Sequence, residues 1–409
     1  MRTYLLLALF ITAFGSRTGA QLTCGSFDYE QKEIKSNPLL KGVIEKAETL
    51  IQQKLTTLGE TATNGKGGHL PVITIPVVVH ILYNSTIENI TDQEVNNQIA
   101  ILNQHFRRLH ADTSKTPSRF VDLAADCDIE FKLAIADPKR WATTGIIRKY
   151  TPVTKWNADD NMKFSANAGD DAWDANSYLN IWVCNLSRVQ GYATFAGGDA
   201  AKDGVVMNYN VFRHNRVIIH ETGHWLGLKH IWGDASCGDD SVGDTPPQSN
   251  FTSGCPTGIR TSCSNGPNGD MYMNYMDLTS DECMNLFTEG QKMRMRATLT
   301  GPRAGILSSV GLLPPLVNEI PLPEEAPKWH YANVYPNPAQ SEVIMDVSYD
   351  VRWVGKVITV SSVQGIPVMQ VPITAKITTF NVGHLKPGIY FLTAKKEDGT
   401  TIKHKLVKM

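Results

Sequence analysis

The stretch that decides the fold runs from His220 to His230 and reads H-E-T-G-H-W-L-G-L-K-H. On a helix, the imidazoles of His220 and His224 lie on one face, one turn apart. Glu221 is a candidate general base and completes the H-E-x-x-H zinc signature. Gly227 allows the helix to end in a turn with positive φ, which can bring His230 back as a third ligand. Three histidines leave the fourth tetrahedral position of a zinc ion open for water, as in catalytic sites.

The length of this motif argues against chance. A bare H-E-x-x-H could be two surface histidines on a helix, but the form H-E-x-x-H-x-x-G-x-x-H fixes two further positions. The long form followed by a methionine turn is the metzincin pattern, and Asn274-Tyr275-Met276-Asp277 is a candidate for that turn. A thermolysin-like enzyme would instead need a distant glutamate ligand, and the presence of Gly227 and His230 argues against it.

The composition indicates an exported protein. The chain has 409 residues and a formal net charge of −1, so charge does not favour nucleic acid or an anionic membrane as partner. Residues 1–20 resemble a signal peptide, with Arg2, a mostly apolar run from Leu5 to Phe14 and small residues before position 21. That run is too short to span a bilayer comfortably. Disulfide bonds are therefore permitted.

Changes in composition divide the rest of the chain. Residues 21–65 form a candidate propeptide with a charged helical stretch at 29–58 and a polar end suited to proteolysis. We expect a catalytic domain at 66–312, a proline-rich linker at 313–329 and a small domain at 330–409. In this last part, short apolar stretches separated by turn residues predict a β-sandwich.

Strands and helices are predicted before the zinc motif, and loops after it. Apolar, β-branched runs predict strands at 72–80, 129–135, 178–183, 191–195 and 205–207. Thr91 and Glu94 form a capping-box pattern, followed by apolar residues at helical spacing. A closing helix is expected near Glu289. The predicted fold class is α+β, with an upper half that carries a twisted sheet, an irregular lower half and a cleft between them.

The loop-rich part at 231–300 holds four of the seven cysteines: Cys237, Cys255, Cys263 and Cys283. Four cysteines allow three pairings, and the sequence alone does not choose among them. A second zinc site is the rival interpretation, but no C-x-x-C pair is present. Four aspartates crowd the same loop: Asp234, Asp239, Asp240 and Asp244. They suit calcium as oxygen ligands, or they form an ordinary solvated acidic loop.

The long zinc motif, the methionine turn and Gly243-Asp244-Thr245-Pro246 together resemble the pappalysin family of metzincins, over about residues 75–295. The resemblance implies a zinc endopeptidase in which the rim strand near Tyr192 binds substrate antiparallel. It also implies a role for each motif residue. The zinc ligands would be His220, His224 and His230, the base Glu221, and the methionine under the zinc Met276.

The resemblance carries further assignments. Asp240 and Thr245 match members of a calcium site. The cysteine spacing implies crossed disulfide bonds, which are Cys237–Cys263 and Cys255–Cys283, with Cys127 and Cys184 left free or paired. Cys24, followed by Gly25, resembles a cysteine switch in which a thiolate fills the open zinc position. The alternative is an unpaired cysteine without such a role.

Two positions bear on activity and specificity. Leu278 stands where the family usually has a tyrosine that stabilises the tetrahedral intermediate, so catalysis could be weaker. Glu282 matches the acidic floor of the family's specificity pocket, which predicts cleavage before Arg or Lys; otherwise it is a solvated loop residue. The same preference would permit self-processing between Gly65 and Lys66.

The C-terminal part resembles the sorting domain of the type IX secretion system of Bacteroidetes. Its motifs are Tyr335-Pro336-Asn337-Pro338, Gly365, Leu385-x-x-Gly388-x-Tyr390 and a lysine-rich end. The resemblance implies passage through the periplasm to the cell surface or beyond, with the secretion machinery as partner. The alternative for this domain is a binding β-module. For the whole chain, the alternative to a protease is a non-catalytic or weakly active zinc-binding surface protein.

Overall fold

The computed structural model describes residues 24–64, 70–213, 216–317, 332–347, 353–395 and 401–409. The predicted signal peptide and the cleavage point after residue 65 lie outside the described residues. The helices are α1 Ser26–Ser36, α2 Leu39–Asn64, α3 Asp92–Phe106, α4 Tyr209–Phe212, α5 Val217–Trp225 and α6 Glu289–Thr300. Within the part described, no helix is long and apolar enough to cross a membrane.

A single twisted sheet forms the upper half of the first domain. Its strands are β1 Ile73–Tyr83, β2 Ile129–Leu133, β3 Ile146–Tyr150, β4 Leu179–Cys184, β5 Gly191–Ala193 and β6 Val205–Asn208. The order is β2-β1-β4-β6-β5, and β3 pairs with the second half of β1. All pairs are parallel except β5 with β6. The short strand β5 therefore ends the sheet and leaves one edge for another extended segment.

Five of the six strands match the expected runs, and β3 was not expected. All five residues of β3 are only half-buried, and Arg148 and Lys149 interrupt its apolar character. The pattern of a buried strand is therefore absent, although the pairing with β1 makes it a strand. The capping box at the start of α3 is present, because Thr91 and Glu94 each bind the other's backbone N–H.

The charged stretch of the candidate propeptide is helical, as expected, and it forms two helices. Helix α1 ends at Ser36 and α2 begins at Leu39. Asn37 has φ −136° and ψ 89°, because the residue before Pro38 is disfavoured from the helical region. We call residues 24–64 the prosegment. Its two helices pack on the first domain, where α1 meets β5 and α2 packs on α6.

The C-terminal domain is the predicted β-sandwich. Its strands are β7 Asn333–Tyr335, β8 Glu342–Asp346, β9 Val357–Ser362, β10 Pro367–Pro372, β11 Ile377–Asn381, β12 Gly388–Lys395 and β13 Thr401–Lys408. They form one sheet in the order β10-β9-β12-β13 and a second in the order β11-β8-β7. A separate hydrophobic core lies between the sheets, with Trp353 and Leu392 among its buried residues.

Candidate active site

Helix α5 carries the first half of the zinc motif through the core. All nine of its residues are buried, which explains why the stretch before the motif is apolar. Gly227 has φ +88°, a conformation that glycine adopts without steric cost. The chain turns there and returns His230 to the end of the helix. The Nε2 atom of His224 lies 3.0 Å from that of His220 and 3.3 Å from that of His230.

The other nitrogen of each ring is held by an acceptor. His220 Nδ1 lies 2.7 Å from the carbonyl oxygen of Tyr275, and His224 Nδ1 lies 2.9 Å from that of Leu228. His230 Nδ1 bonds a carboxylate oxygen of Asp234. Each Nδ1 must therefore carry the proton, which leaves three Nε2 lone pairs pointing at one another. This arrangement needs a cation at its centre, and such outer partners are usual for histidine ligands.

The distances suit zinc. Tetrahedral zinc with Zn–N bonds of about 2.0–2.1 Å separates its ligand nitrogens by about 3.3 Å. Cys24 Sγ lies 3.4 Å from His224 Nε2, close to the N–S separation of about 3.6 Å in such a site. Among the described residues, these four are the only group of three or more His, Cys, Asp or Glu ligand atoms that close together. The site therefore fits a metal ion with three nitrogen ligands and one sulfur ligand.

Burial shifts the pKa values of the histidine and cysteine side chains in opposite directions. It lowers the pKa of His220 to about 3, aided by the nearby His230, and this keeps the imidazole neutral as a ligand requires. Burial and the charge of Glu221 raise the pKa of the Cys24 thiol well above its usual range. Only an adjacent cation would turn that thiol into a thiolate.

Glu221 lies next to this group of ligands. Burial raises the pKa of Glu221 to about 7, the range in which a carboxylate can exchange protons near neutral pH. Its Oε2 accepts a hydrogen bond from Ser26 Oγ at 2.8 Å, and its Oε1 has no hydrogen-bond partner among the described residues. One carboxylate oxygen is thus held by the prosegment while the other stays unpaired.

The prosegment reaches the site along the free edge of β5. Cys24 forms a parallel bridge with Gly191, and Gly25 N donates to Gly191 O at 2.9 Å. Ser26 Oγ accepts from Ala193 N at 2.9 Å. A Cβ atom at Gly191 would lie 2.9 Å from Glu221 Cγ, so glycine is needed for this close approach. The prosegment therefore occupies the edge of the sheet that β5 leaves without a strand partner.

The methionine turn lies beneath the helix. The carbonyl of Tyr275 holds His220, as described above, and the next residue, Met276, is fully buried. A Cβ atom at Gly223 would lie 2.6 Å from Met276 Sδ. The glycine inside the H-E-x-x-H motif therefore makes room for the methionine sulfur. Asn274 fixes the turn, since its Oδ1 accepts from Met276 N at 2.9 Å.

The cysteine pairs are those implied by the resemblance. Disulfide bonds join Cys237 to Cys263 and Cys255 to Cys283. Cys127 and Cys184 are both buried and not joined to any other cysteine. Cys24 is likewise free of a disulfide bond, as a cysteine that faces a metal site must be.

The four aspartates of the acidic loop do not form one cluster. Asp234 orients His230, and Asp239 accepts from Ser241 N at 2.7 Å. Asp244 accepts from Gly290 N at 2.8 Å at the start of α6, where an anion is favourable. Only the predicted calcium pair remains, and there Thr245 Oγ1 donates to Asp240 Oδ2 at 2.8 Å.

Two positions near the methionine turn differ in exposure. The side chain of Glu282 is exposed. Its neighbour Asp281 is half-buried, and its Oδ2 accepts from Arg216 N at 2.7 Å, at the start of α5. Leu278 is 8% exposed and, as expected, has no side-chain donor.

Several residues of the site were not expected from the sequence. Tyr275 and Leu228 act through backbone carbonyls, so their side chains gave no signal. Asp234 lies four residues after His230 and could have been noticed as a partner. Ser26 could have been noticed from its place two residues after Cys24.

Comparison with known proteins agrees with this geometry. Residues 163–300 match the family described as Pregnancy-associated plasma protein-A, and residues 333–409 match the family described as Secretion system C-terminal sorting domain. An extracellular metalloprotease of Arthroderma otae is 30% identical over 325 residues, which cover 73% of this chain and 99% of that protein. An extracellular metalloprotease of Verticillium alfalfae is 32% identical, with 57% of this chain and 78% of that protein covered.

Two solved structures are similar to the N-terminal part of the chain. Tannerella forsythia mature mirolysin in complex with a cleaved peptide is 44% identical, with a TM-score of 0.57 and coverage of 58% of this chain and 97% of that chain. A promirolysin mutant of the same organism is 41% identical, with a TM-score of 0.62 and coverage of 70% and 97%. The chain therefore belongs to the pregnancy-associated plasma protein-A, or pappalysin, family of metalloproteases, and is a secreted metalloendopeptidase with a C-terminal secretion sorting domain.

Proposed function

We propose that the chain is the zymogen of a zinc endopeptidase in which Glu221 is the general base and Cys24 maintains latency. The observation that carries this proposal is the convergence of three imidazole nitrogens on one point, with Cys24 Sγ at the fourth corner. When bound, zinc supplies a water of lowered pKa and a positive charge that stabilises the developing oxyanion. Residues 21–65 are then the propeptide and 66–312 the catalytic domain.

The residues of the chain position the substrate and move its proton. A peptide that pairs with the free edge of β5 has its scissile bond next to Glu221. Glu221 accepts a proton from the attacking water and returns it to the leaving amine. Leu278 contributes no hydrogen bond to the oxyanion, so we expect a turnover below that of an enzyme with tyrosine there.

Metal content and turnover, measured on the same variants, test this mechanism. Glu221→Ala should keep a full complement of zinc and lose activity by about 10³-fold or more. His224→Ala should lose the zinc, and the exposed control Glu289→Ala should change neither quantity. A Glu221→Ala variant with near-normal turnover would contradict the mechanism. Zinc in the wild type without cleavage of any peptide in a mixed library would favour the alternative of a zinc-binding surface protein.

Latency is proposed to depend on the Cys24 thiolate as a fourth metal ligand, which excludes the catalytic water. Its position 3.4 Å from His224 Nε2 supports this role. Cys24→Ala should raise the initial peptidase activity of the uncleaved chain, whereas Cys184→Ala, a change at another free cysteine, should not. Equal latency of the wild type and Cys24→Ala would count against the switch.

We also propose that cleavage occurs before Arg or Lys, with Asp281 rather than Glu282 as the acidic residue. Asp281 is half-buried next to the start of α5, one helical turn before His220, whereas Glu282 faces solvent. A carboxylate shielded from water binds a cationic side chain more strongly. In a peptide library, Asp281→Asn should lose the basic preference and Glu282→Gln should keep it. The opposite result would identify Glu282 as the acidic residue that selects Arg or Lys.

The preference for basic residues also predicts self-processing between Gly65 and Lys66. N-terminal sequencing of the activated protein tests this prediction. A first residue other than Lys66 would assign the cut to another site or another protease.

Calcium at Asp240 and Thr245 is a further proposal. Burial raises the pKa of Asp240 to about 7, so a bound cation would stabilise its charged form. Calcium should raise the melting temperature of the wild type but not of Asp240→Asn. Equal melting temperatures of the wild type with calcium and with a calcium-selective chelator would exclude the site.

Residues 330–409 are proposed to direct export by the type IX machinery of a Bacteroidetes-like bacterium, by way of the periplasm. The match of residues 333–409 to a sorting-domain family supports this role. In such a host, deletion of 330–409 should leave active enzyme in the periplasm. Unchanged export of the deleted chain would favour the alternative of a substrate-binding module.

A further inference from the structure

The prosegment inserts one aromatic side chain into a polar site of the catalytic domain. Tyr29 of α1 is only 6% exposed. Its hydroxyl donates to Asp160 Oδ2 at 2.6 Å, and its ring lies against that of Tyr192, with centroids 4.8 Å apart. We call Asp160, Lys163 and Tyr192 the phenol site. It is separate from the metal ligands and has no part in the mechanism described above.

The phenol site is organised by its own residues. Lys163 Nζ lies 2.8 Å from Asp160 Oδ1 and donates to the carbonyl of Lys202 at 2.6 Å. The hydroxyl of Tyr192 donates to Asp160 Oδ1 at 2.9 Å. Asp160, Lys163 and Tyr192 are each at most 1% exposed beneath Tyr29. These contacts do not involve the prosegment. Lys202 Nζ lies 3.6 Å from Oδ2 of Asp160, beyond hydrogen-bond distance, so Oδ2 remains available to a hydroxyl donor when Tyr29 leaves.

The charge of the site also favours a phenol. Burial alone would raise the pKa of Asp160, but Lys163 and the hydrogen bonds lower it, so the carboxylate is charged. Lys163 Nζ lies 5.6 Å from the centroid of the Tyr29 ring and 4.9 Å from that of Tyr192, within range for cation–π attraction. A phenylalanine ring would keep the cation–π contact with Lys163, but it has no hydroxyl to donate to the Asp160 carboxylate. The missing hydrogen bond lowers the affinity for phenylalanine.

The site adjoins the edge of β5 along which the substrate is proposed to bind. Tyr192 is the residue after Gly191, where the prosegment pairs with β5. An extended peptide on that edge directs alternate side chains to opposite faces of the sheet. One of these faces carries the Tyr192 ring and Asp160. A substrate side chain on that face therefore points to the place that Tyr29 occupies in the zymogen.

We propose that, after the prosegment leaves, the phenol site binds a tyrosine side chain of the substrate and selects it over phenylalanine. The inference rests on the proposed function, because it assumes that peptides bind along β5. In the zymogen, Tyr29 then fills the pocket that would later bind the substrate tyrosine. Tyr29 is one of the buried residues in the hydrophobic cluster around Tyr192, and all the others belong to the first domain, so the rest of the pocket wall does not depend on the prosegment.

Binding to an inactive enzyme tests the proposal without peptide cleavage. The full chain with Glu221→Ala is loaded with zinc, cut by trypsin in the segment that contains Lys66, and freed of the prosegment. Peptides that carry one tyrosine, moved one position at a time, are compared with partners that carry phenylalanine. At one position, tyrosine should bind at least about 10-fold more tightly, the smallest effect expected for a hydrogen bond to a charged acceptor.

Variants of the phenol site test whether Asp160 causes the preference for tyrosine over phenylalanine. Asp160→Asn should reduce the tyrosine-to-phenylalanine ratio to near one, and the neighbouring Asp159→Asn should leave it unchanged. Equal binding of every tyrosine and phenylalanine pair would overturn the proposal, as would a preference that survives in Asp160→Asn. Peptides that bind with this preference but are not cut by the wild type would contradict the proposed function and leave the pocket intact.

Discussion

The structure predicts that Ser26 contributes to latency independently of Cys24. Ser26 is fully buried. Its hydroxyl donates to the Glu221 carboxylate at 2.8 Å and accepts from Ala193 N at 2.9 Å. It therefore keeps the candidate base occupied and closes the edge of β5 in the same contact. Ser26→Ala removes both hydrogen bonds and leaves Cys24 in place.

The size of the effect follows from those two bonds. Loss of a hydrogen bond to a charged group costs about 1.5–3 kcal/mol, and a buried N–H without a partner costs about 1–3 kcal/mol. Because water can enter the gap, we expect the prosegment to be held less tightly by about 2–4 kcal/mol. At 1.4 kcal/mol for each tenfold change, the open fraction should rise by about 30- to 700-fold.

The assay is the initial cleavage rate of a quenched fluorogenic peptide by freshly purified full-length protein. Ser36→Ala is the matched control, because Ser36 also lies in α1 but bonds only the carbonyl of Glu33 at its exposed end. After complete processing, all variants should have the same kcat/KM, since the processed enzyme lacks the prosegment. If Ser26→Ala is as latent as Ser36→Ala, the hydrogen bonds to Glu221 and Ala193 do not hold the prosegment.

Three further predictions follow from the environment of the site. Gly223→Ala should push Met276 aside and lower both zinc retention and the melting temperature, and unchanged zinc dissociation would refute this packing argument. Burial and the charges of His110 and Arg216 lower the pKa of His105 to about 3. Burial and the charges of Arg216 and Arg108 lower the pKa of His110 to about 4. The two neutral histidines therefore stabilise the fold fully above pH 6.5, and the free energy of unfolding falls by roughly 1–3 kcal/mol as the pH drops toward 4. In His110→Gln, the free energy of unfolding should fall by less over the same pH range than it does in the wild type. Removal of zinc by a chelator should abolish turnover, and added zinc should restore it; activity that persists in metal-free protein would exclude metal catalysis.

Local patterns were enough to predict the group of three histidines because these residues are close in sequence. Helical spacing places His220 and His224 on one face, and the conformational freedom of Gly227 allows the return to His230. The same reasoning found the capping box of α3 and most strands. It missed β3, whose half-buried residues lack a clear pattern, and it did not predict the break at Asn37 that divides the helical stretch of the prosegment.

The sequence by itself predicted the three histidines that the structure brings together and placed Glu221 beside them as a candidate base; through the family resemblance it also predicted the pairing of the loop cysteines. Only the tertiary structure decided which groups meet across long stretches of chain. Ser26 reaches Glu221, and Tyr29 reaches Asp160, because α1 packs on the edge of β5. It also decided that Asp281 rather than Glu282 is shielded from water. Such contacts depend on how elements pack, and no periodicity along the chain encodes them.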